Sequence, residues 1–166
     1  ERGAQHIAIR VVDLGPAPQD VPACRAGIAG LLTAAVEVVV SMLREHTEEL
    51  DTPELLAVAR YCHTLKKAEN HAWLGDPMEL ALVRMAENSG RMWQEPQRLD
   101  EVPFDADRKR MSILNRSHHG AVLYTKGALM TVLPLCTHLS TAQGVLPLSP
   151  EACEGLKDAE LELARQ

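Results

Sequence analysis

RLDEVPFDADRKRMSILNRSHHGAVLYTKGAL, residues 98–129, carries the strand signal that decides the fold. Residues 99–104, 110–114 and 121–125 are short apolar or β-branched runs, which read as strands. The polar stretch 115–120, NRSHHG, is the turn between the last two, so these strands pair as an antiparallel hairpin. Upstream, HIAIRVVDL at 6–14 reads as one more strand, closed by Gly15-Pro16-Ala17-Pro18.

Helical patterning surrounds these strands. It runs from about Pro22 to His46. It resumes after Asp51-Thr52-Pro53-Glu54, where Thr52 or Asp51 serves as a cap and Pro53 suits the first turn. Residues 66–74 read as a polar loop leading to Gly75-Asp76-Pro77. There Asp76 caps a helix that ends on Gly90. Residues 128–138 read as a helix interrupted by Pro134, and Ser149-Pro150-Glu151 opens a final helix. Strands clustered next to one another, with helices around them, give an α+β fold: a twisted antiparallel sheet flanked by helices.

Composition narrows the function. The 166 residues fit one domain. A net charge of −6 argues against a nucleic-acid binder, which needs a basic face to neutralise phosphates. A pocket for a single nucleotide is compatible with it, because a few cations focused in a cleft suffice. Four cysteines without a Cys-x-x-Cys pair read as reduced structural thiols. Neither Cys136-Thr137-His138 nor His118-His119 has the paired-ligand spacing of a structural zinc site, and nothing selects a Cys–His nucleophile pair. The apolar run 28–43, IAGLLTAAVEVVVSML, is too short and too interrupted by Glu37 to span a membrane, and reads as a buried helix flanked by Arg25 and Arg44. Docking of a partner on that helix is the competing reading, a non-enzymatic interaction domain.

Three segments carry a chemical pattern: GDPMELAL at 75–82, EVPFDADRKRMSIL at 101–114 and LYTKGAL at 123–129. Phe104 is the only Phe of the chain, in a protein with two Trp and two Tyr, and a flat apolar ring is what an adenine base stacks on. Lys109 and Met111 are expected on one face of an extended strand. Gly127 and Ala128 follow Lys126 and are small enough for a planar ligand to approach the backbone. Glu79 offers a carboxylate acceptor for an exocyclic amine.

In this order and spacing the three segments resemble the nucleotide-binding domain of type II P-type ATPases, the calcium and related cation pumps, whose parent enzymes belong to the haloacid dehalogenase-like superfamily. The resemblance is densest over 55–136. It implies that Phe104 stacks adenine, that Glu79 hydrogen-bonds beside it, that Lys109 and Lys126 line the pocket, and that Met111, Gly127 and Ala128 wall it. It implies ATP as ligand, with Mg in the parent enzyme, and the phosphorylation and actuator domains of a pump as partners. No nucleic acid and no direct membrane contact are expected of such a cytoplasmic domain of an integral membrane protein. The chain is then a single domain, 1–166, excised from a larger pump. No Asp-Lys-Thr-Gly-Thr motif and no phosphate loop occur, so the chain is expected to hold ATP while hydrolysis belongs to the parent. Two departures stand out. Leu129-Met130 replaces the usual Pro-Glu after Lys-Gly-Ala, and the further strand with a phosphate-facing Arg is expected beyond Gln166.

Overall fold

The computed structural model describes residues 8–13, 37–39, 53–69, 71–95, 97–118, 120–141 and 144–163. A five-stranded antiparallel sheet is the central layer, ordered β2 (Glu37–Val39), β1 (Ala8–Asp13), β7 (Gly120–Gly127), β6 (Arg110–Ser117), β5 (Gln97–Asp105). Two hairpins lie outside it: β3 (Lys66–Lys67) with β4 (Trp73–Leu74), and β8 (His138–Thr141) with β9 (Gly144–Pro147). The helices are α1 (Pro53–Tyr61), α2 (Pro77–Asn88), the short α3 (Leu129–Val132) continued by a 3-10 turn (Leu133–Leu135), and α4 (Pro150–Leu163). The α+β class with an antiparallel sheet flanked by helices is therefore as the sequence implies.

Side chains on β6 alternate between two cores because both faces of the sheet are covered. Met111 and Ile113 pack against Leu55, Leu56, Val58, Ala59 and Cys62 of the α1 region and Leu82 and Ala86 of α2. Leu114 points the other way and joins Ala121 and Leu123 of β7, with Leu129, Val132 and Leu133 beneath them. Partly buried Cys153 and Leu156 of α4 complete that second core. Ser112 and Thr125, register partners on β6 and β7, would be costly to bury alone; their hydroxyls pair at 2.8 Å.

Several local expectations change. The apolar run 28–43 does not form one helix, since Glu37–Val39 pairs with β1 as a strand; the rest of the run lies outside the described residues. A continuous apolar stretch has no period to separate buried strand from buried helix, and three consecutive β-branched residues, Val38 to Val40, favour the strand. The loop 66–74 contains the β3–β4 hairpin, fastened by an ion pair of Lys67 with Glu95 and by Trp73 Nε1 donating to Glu87 Oε1 at 3.0 Å. The helix 128–138 is cut to one turn plus the 3-10 turn around Pro134, after which His138 enters β8. Loss of Pro-Glu does not prevent the helix start. The Ala128 carbonyl accepts from Thr131 N at 2.9 Å and Val132 N at 3.1 Å, and Leu129 is buried.

One close approach couples the β5–β6 turn to the end of β7. Ala128 N donates to the Lys109 carbonyl at 2.9 Å, and a Cβ on Gly127 would overlap Arg110 Cβ and lie 2.5 Å from that carbonyl oxygen. Gly127→Ala should therefore lower the unfolding free energy by about 1–3 kcal/mol, read as a shift of the urea midpoint at unchanged slope.

His63, just past α1, is buried, and its Nδ1 accepts from Leu65 N at 3.2 Å. Burial pushes its pKa from 6.5 down to about 4; Glu79 opposes this, while Arg98, Lys126 and Arg60 add to it. The unfolded chain thus takes up a proton that the folded chain refuses. Stability on this account is full above about pH 6.5 and falls towards pH 4, by up to about 1.4 kcal/mol per pH unit. Urea unfolding of His63→Asn should show a flatter slope than the unaltered chain between about pH 6.5 and 4.5; parallel slopes would contradict this.

Candidate nucleotide site

Glu79 comes to the site through a well-specified helix start. Gly75, at φ 147°, turns the chain out of β4, and Asp76 Oδ1 accepts from Met78 N at 2.9 Å and Glu79 N at 3.1 Å. Pro77 fills the first helical position, where no donor is missed. Glu79 therefore sits in the first turn of α2, where its charge suits the helix dipole, yet the residue is only 5% exposed.

Its partner is Lys126, on β7 and 6% exposed, with Nζ 2.8 Å from Glu79 Oε1. Glu79 Oε2 accepts from Thr64 N and from Thr64 Oγ1, both at 3.0 Å. Burial raises the Glu79 pKa, but the hydrogen bond and charge of Lys126, together with the Thr64 donors, outweigh it and hold the carboxyl below its usual range. The group at this position is therefore a carboxylate, acceptor only. Among the described residues three of its roughly four lone-pair positions are filled, leaving one on Oε1 beside the ammonium.

Met111 is the register partner of Lys126 across β6 and β7 and is 3% exposed. It thus lies in the core at the root of the Lys126 side chain. Lys109 is not on an extended strand with Met111, as its spacing predicts. β5 ends at Asp105, and Asp105 Oδ1 accepts from Asp107 N at 3.0 Å and Arg108 N at 2.8 Å to build the turn. Lys109 closes that turn at φ 50°, exposed. Arg108 and Arg110 fasten it: Arg108 donates to the Pro103 carbonyl at 2.8 Å and Arg110 to the Thr131 carbonyl at 3.3 Å.

Phe104 is 63% exposed on β5, within the register shift between Val102 and Asp105. Val102 faces Ser112 and Asp105 faces Arg110, so Phe104 lies at the level of Met111 and, one strand further, of Lys126. At the usual strand spacing the Phe104 and Lys126 backbones are about 10 Å apart. One end of the sheet thus collects Phe104, Lys109, Met111, Lys126, Gly127 and Ala128, and the Lys126 side chain meets Glu79 arriving from α2.

Sequence reasoning overlooked Thr64. It lies just past α1 in a segment without periodicity, and only the folded contact with a residue fifteen positions later marks it. Cys62, buried nearby, donates to the Tyr124 carbonyl at 3.4 Å, and burial raises its thiol to about 12, so it is no nucleophile. Among the described residues no group of three or more His, Cys, Asp or Glu is placed to hold a metal ion, and no helix is long and apolar enough to cross a membrane.

A calcium-transporting ATPase of Listeria monocytogenes is 28% identical over 116 residues, covering 68% of this chain and 13% of that protein. Calcium-transporting ATPase 1 of Bacillus cereus is 37% identical over 75 residues, covering 42% and 8%. Magnesium-transporting ATPase, P-type 1, of Escherichia coli is 28% identical over 116 residues, covering 62% and 13%. The chain therefore spans about one-eighth or less of the length of these relatives. The family model described as P-type ATPase, cytoplasmic domain N, matches residues 51–166, which contain α1 to α4 and every site residue, and the chain belongs to that family.

Proposed function

We propose that the chain binds ATP, mainly through its adenine base, and that within a full-length pump it delivers the nucleotide to a phosphorylation domain to drive cation transport. The observation that carries this reading is the buried Glu79–Lys126 pair, which joins two of the three sequence segments across 47 residues at the end of the sheet where Phe104 is exposed. The Phe104 ring stacks the base, and the free lone pair of Glu79 Oε1 accepts the 6-amino group. Lys126 lies beside them, and Lys109 reaches the polar part of the ligand from the turn. Met111 supports Lys126 from below, while Gly127 and Ala128 keep the wall low.

In the parent enzyme Mg accompanies the triphosphate. The partners are ATP or ADP and the phosphorylation and actuator domains. The Listeria and Bacillus relatives are named for calcium and the Escherichia relative for magnesium, so the ion class shared among them is a cation. Phosphoryl transfer needs metal-ion charge stabilisation and an acceptor. The described site offers recognition of the base and two lysines, so its work is binding.

Titration calorimetry with ATP, ADP and AMP should give saturable binding of similar strength for all three and little dependence on magnesium, because the base supplies most of the contact. No saturable heat at millimolar nucleotide would remove the proposal. Phe104→Ala should weaken all three by about fivefold or more, in keeping with about 1–3 kcal/mol for a base–aromatic stack. Since Phe104 is largely exposed, its unfolding midpoint should hardly move.

A further inference from the structure

We propose that Thr64 is the positioning residue of the adenine site: by holding Glu79 Oε2 with two donors it leaves Oε1 as the only oxygen open to the base. This rests on the nucleotide reading above.

The Thr64 backbone N–H and its hydroxyl both reach Oε2 at 3.0 Å. Two donors on one oxygen fix the carboxylate plane. With Lys126 on the other oxygen, the terminal torsion, which is broad for Glu, is held at both ends. With Oε2 occupied by Thr64, Lys126 at 2.8 Å bonds Oε1, whose second lone pair has no partner among the described residues. Two-point fixing by Lys126 and Thr64 also keeps the carboxyl ionised despite burial, so it cannot donate. A fixed acceptor suits a 6-amino group, which can donate to it, better than a ring with hydrogen at that position, which cannot.

Thr64 does this without serving the core. Its side chain is exposed, and it belongs to neither hydrophobic cluster, whereas Cys62 and Leu65 around it are buried. The hydroxyl is bonded to the candidate site residue and not to the backbone of its own segment.

The test uses the whole chain with Thr64→Val, which keeps the shape and the backbone donor, and Thr64→Ser, which restores the hydroxyl. ATP is compared with purine riboside triphosphate, which has hydrogen in place of the 6-amino group. Thr64→Val should weaken ATP by about five- to tenfold, leave the 6-hydrogen analogue within about twofold, and be rescued by Thr64→Ser. In the same variant the Glu79 side-chain carbon signal should titrate at higher pH, because a hydrogen bond to the charged form is gone. Equal weakening of both ligands, or an unmoved Glu79 titration, overturns the inference. If the unaltered chain binds no ATP, the nucleotide reading fails and the adenine role of Thr64 falls with it. The Glu79 titration then separates that failure from a failure of Thr64 to hold the carboxylate.

Discussion

A carboxylate and an ammonium buried against each other place a demand that the surrounding structure must meet. Removing two charges from water is expensive, and their attraction offsets it only where geometry is good and other donors fill the remaining lone pairs. Glu79 and Lys126 satisfy that condition through Thr64, through the Asp76 cap that starts α2 at the right residue, and through Met111 under the lysine stem. Each of these comes from a different part of the chain. The pair thus ties α2 to the sheet alongside the apolar contacts of Leu82 and Ala86. Such a pair adds little net stability against an apolar substitute. Its weight lies in orientation, since misplacing α2 would leave a buried charge alone.

The second constraint is steric. The Lys109 carbonyl is received by Ala128 N, and Gly127 leaves the room for it. Two segments that are separate in sequence, Arg-Lys-Arg-Met and Lys-Gly-Ala, are therefore one unit in space. Arg110 reaching the Thr131 carbonyl extends that unit into α3. The basic run 108–110 is thus divided in role. Its arginines tie backbone carbonyls, and its lysine, at a positive φ, is the cation turned outward.

Much of this was legible in the residues. The β6–β7 hairpin showed in its apolar runs, although its turn is shorter than the polar stretch 115–120, since Asn115 to Ser117 still pair with β7; α2 showed in its Asp76-Pro77 start. The candidate site residues were singled out by the three-part resemblance, not by any property of a single residue. What escaped has definite physical causes. The strand β2 sat inside an apolar run with no period, and β3–β4 is too short for alternation to appear. Lys109 left the strand because Asp105 hydrogen-bonds forward to Asp107 and Arg108, a local competition that spacing alone does not reveal. Thr64 acts only through a contact made on folding, and no spacing rule points to it.

The place of β7 in the sheet has one more consequence. It is paired on both sides, with β6 at Met111↔Lys126 and with β1 at Ile9↔Lys126, so the backbone beneath the lysine has no freedom to shift towards a ligand. The Lys126 side chain above that floor is already engaged with Glu79. Any adjustment there is one of side chains, on the timescale of side-chain rotation and not of chain movement. The end of the sheet is thus a fixed frame, and the side chains above it are what can move.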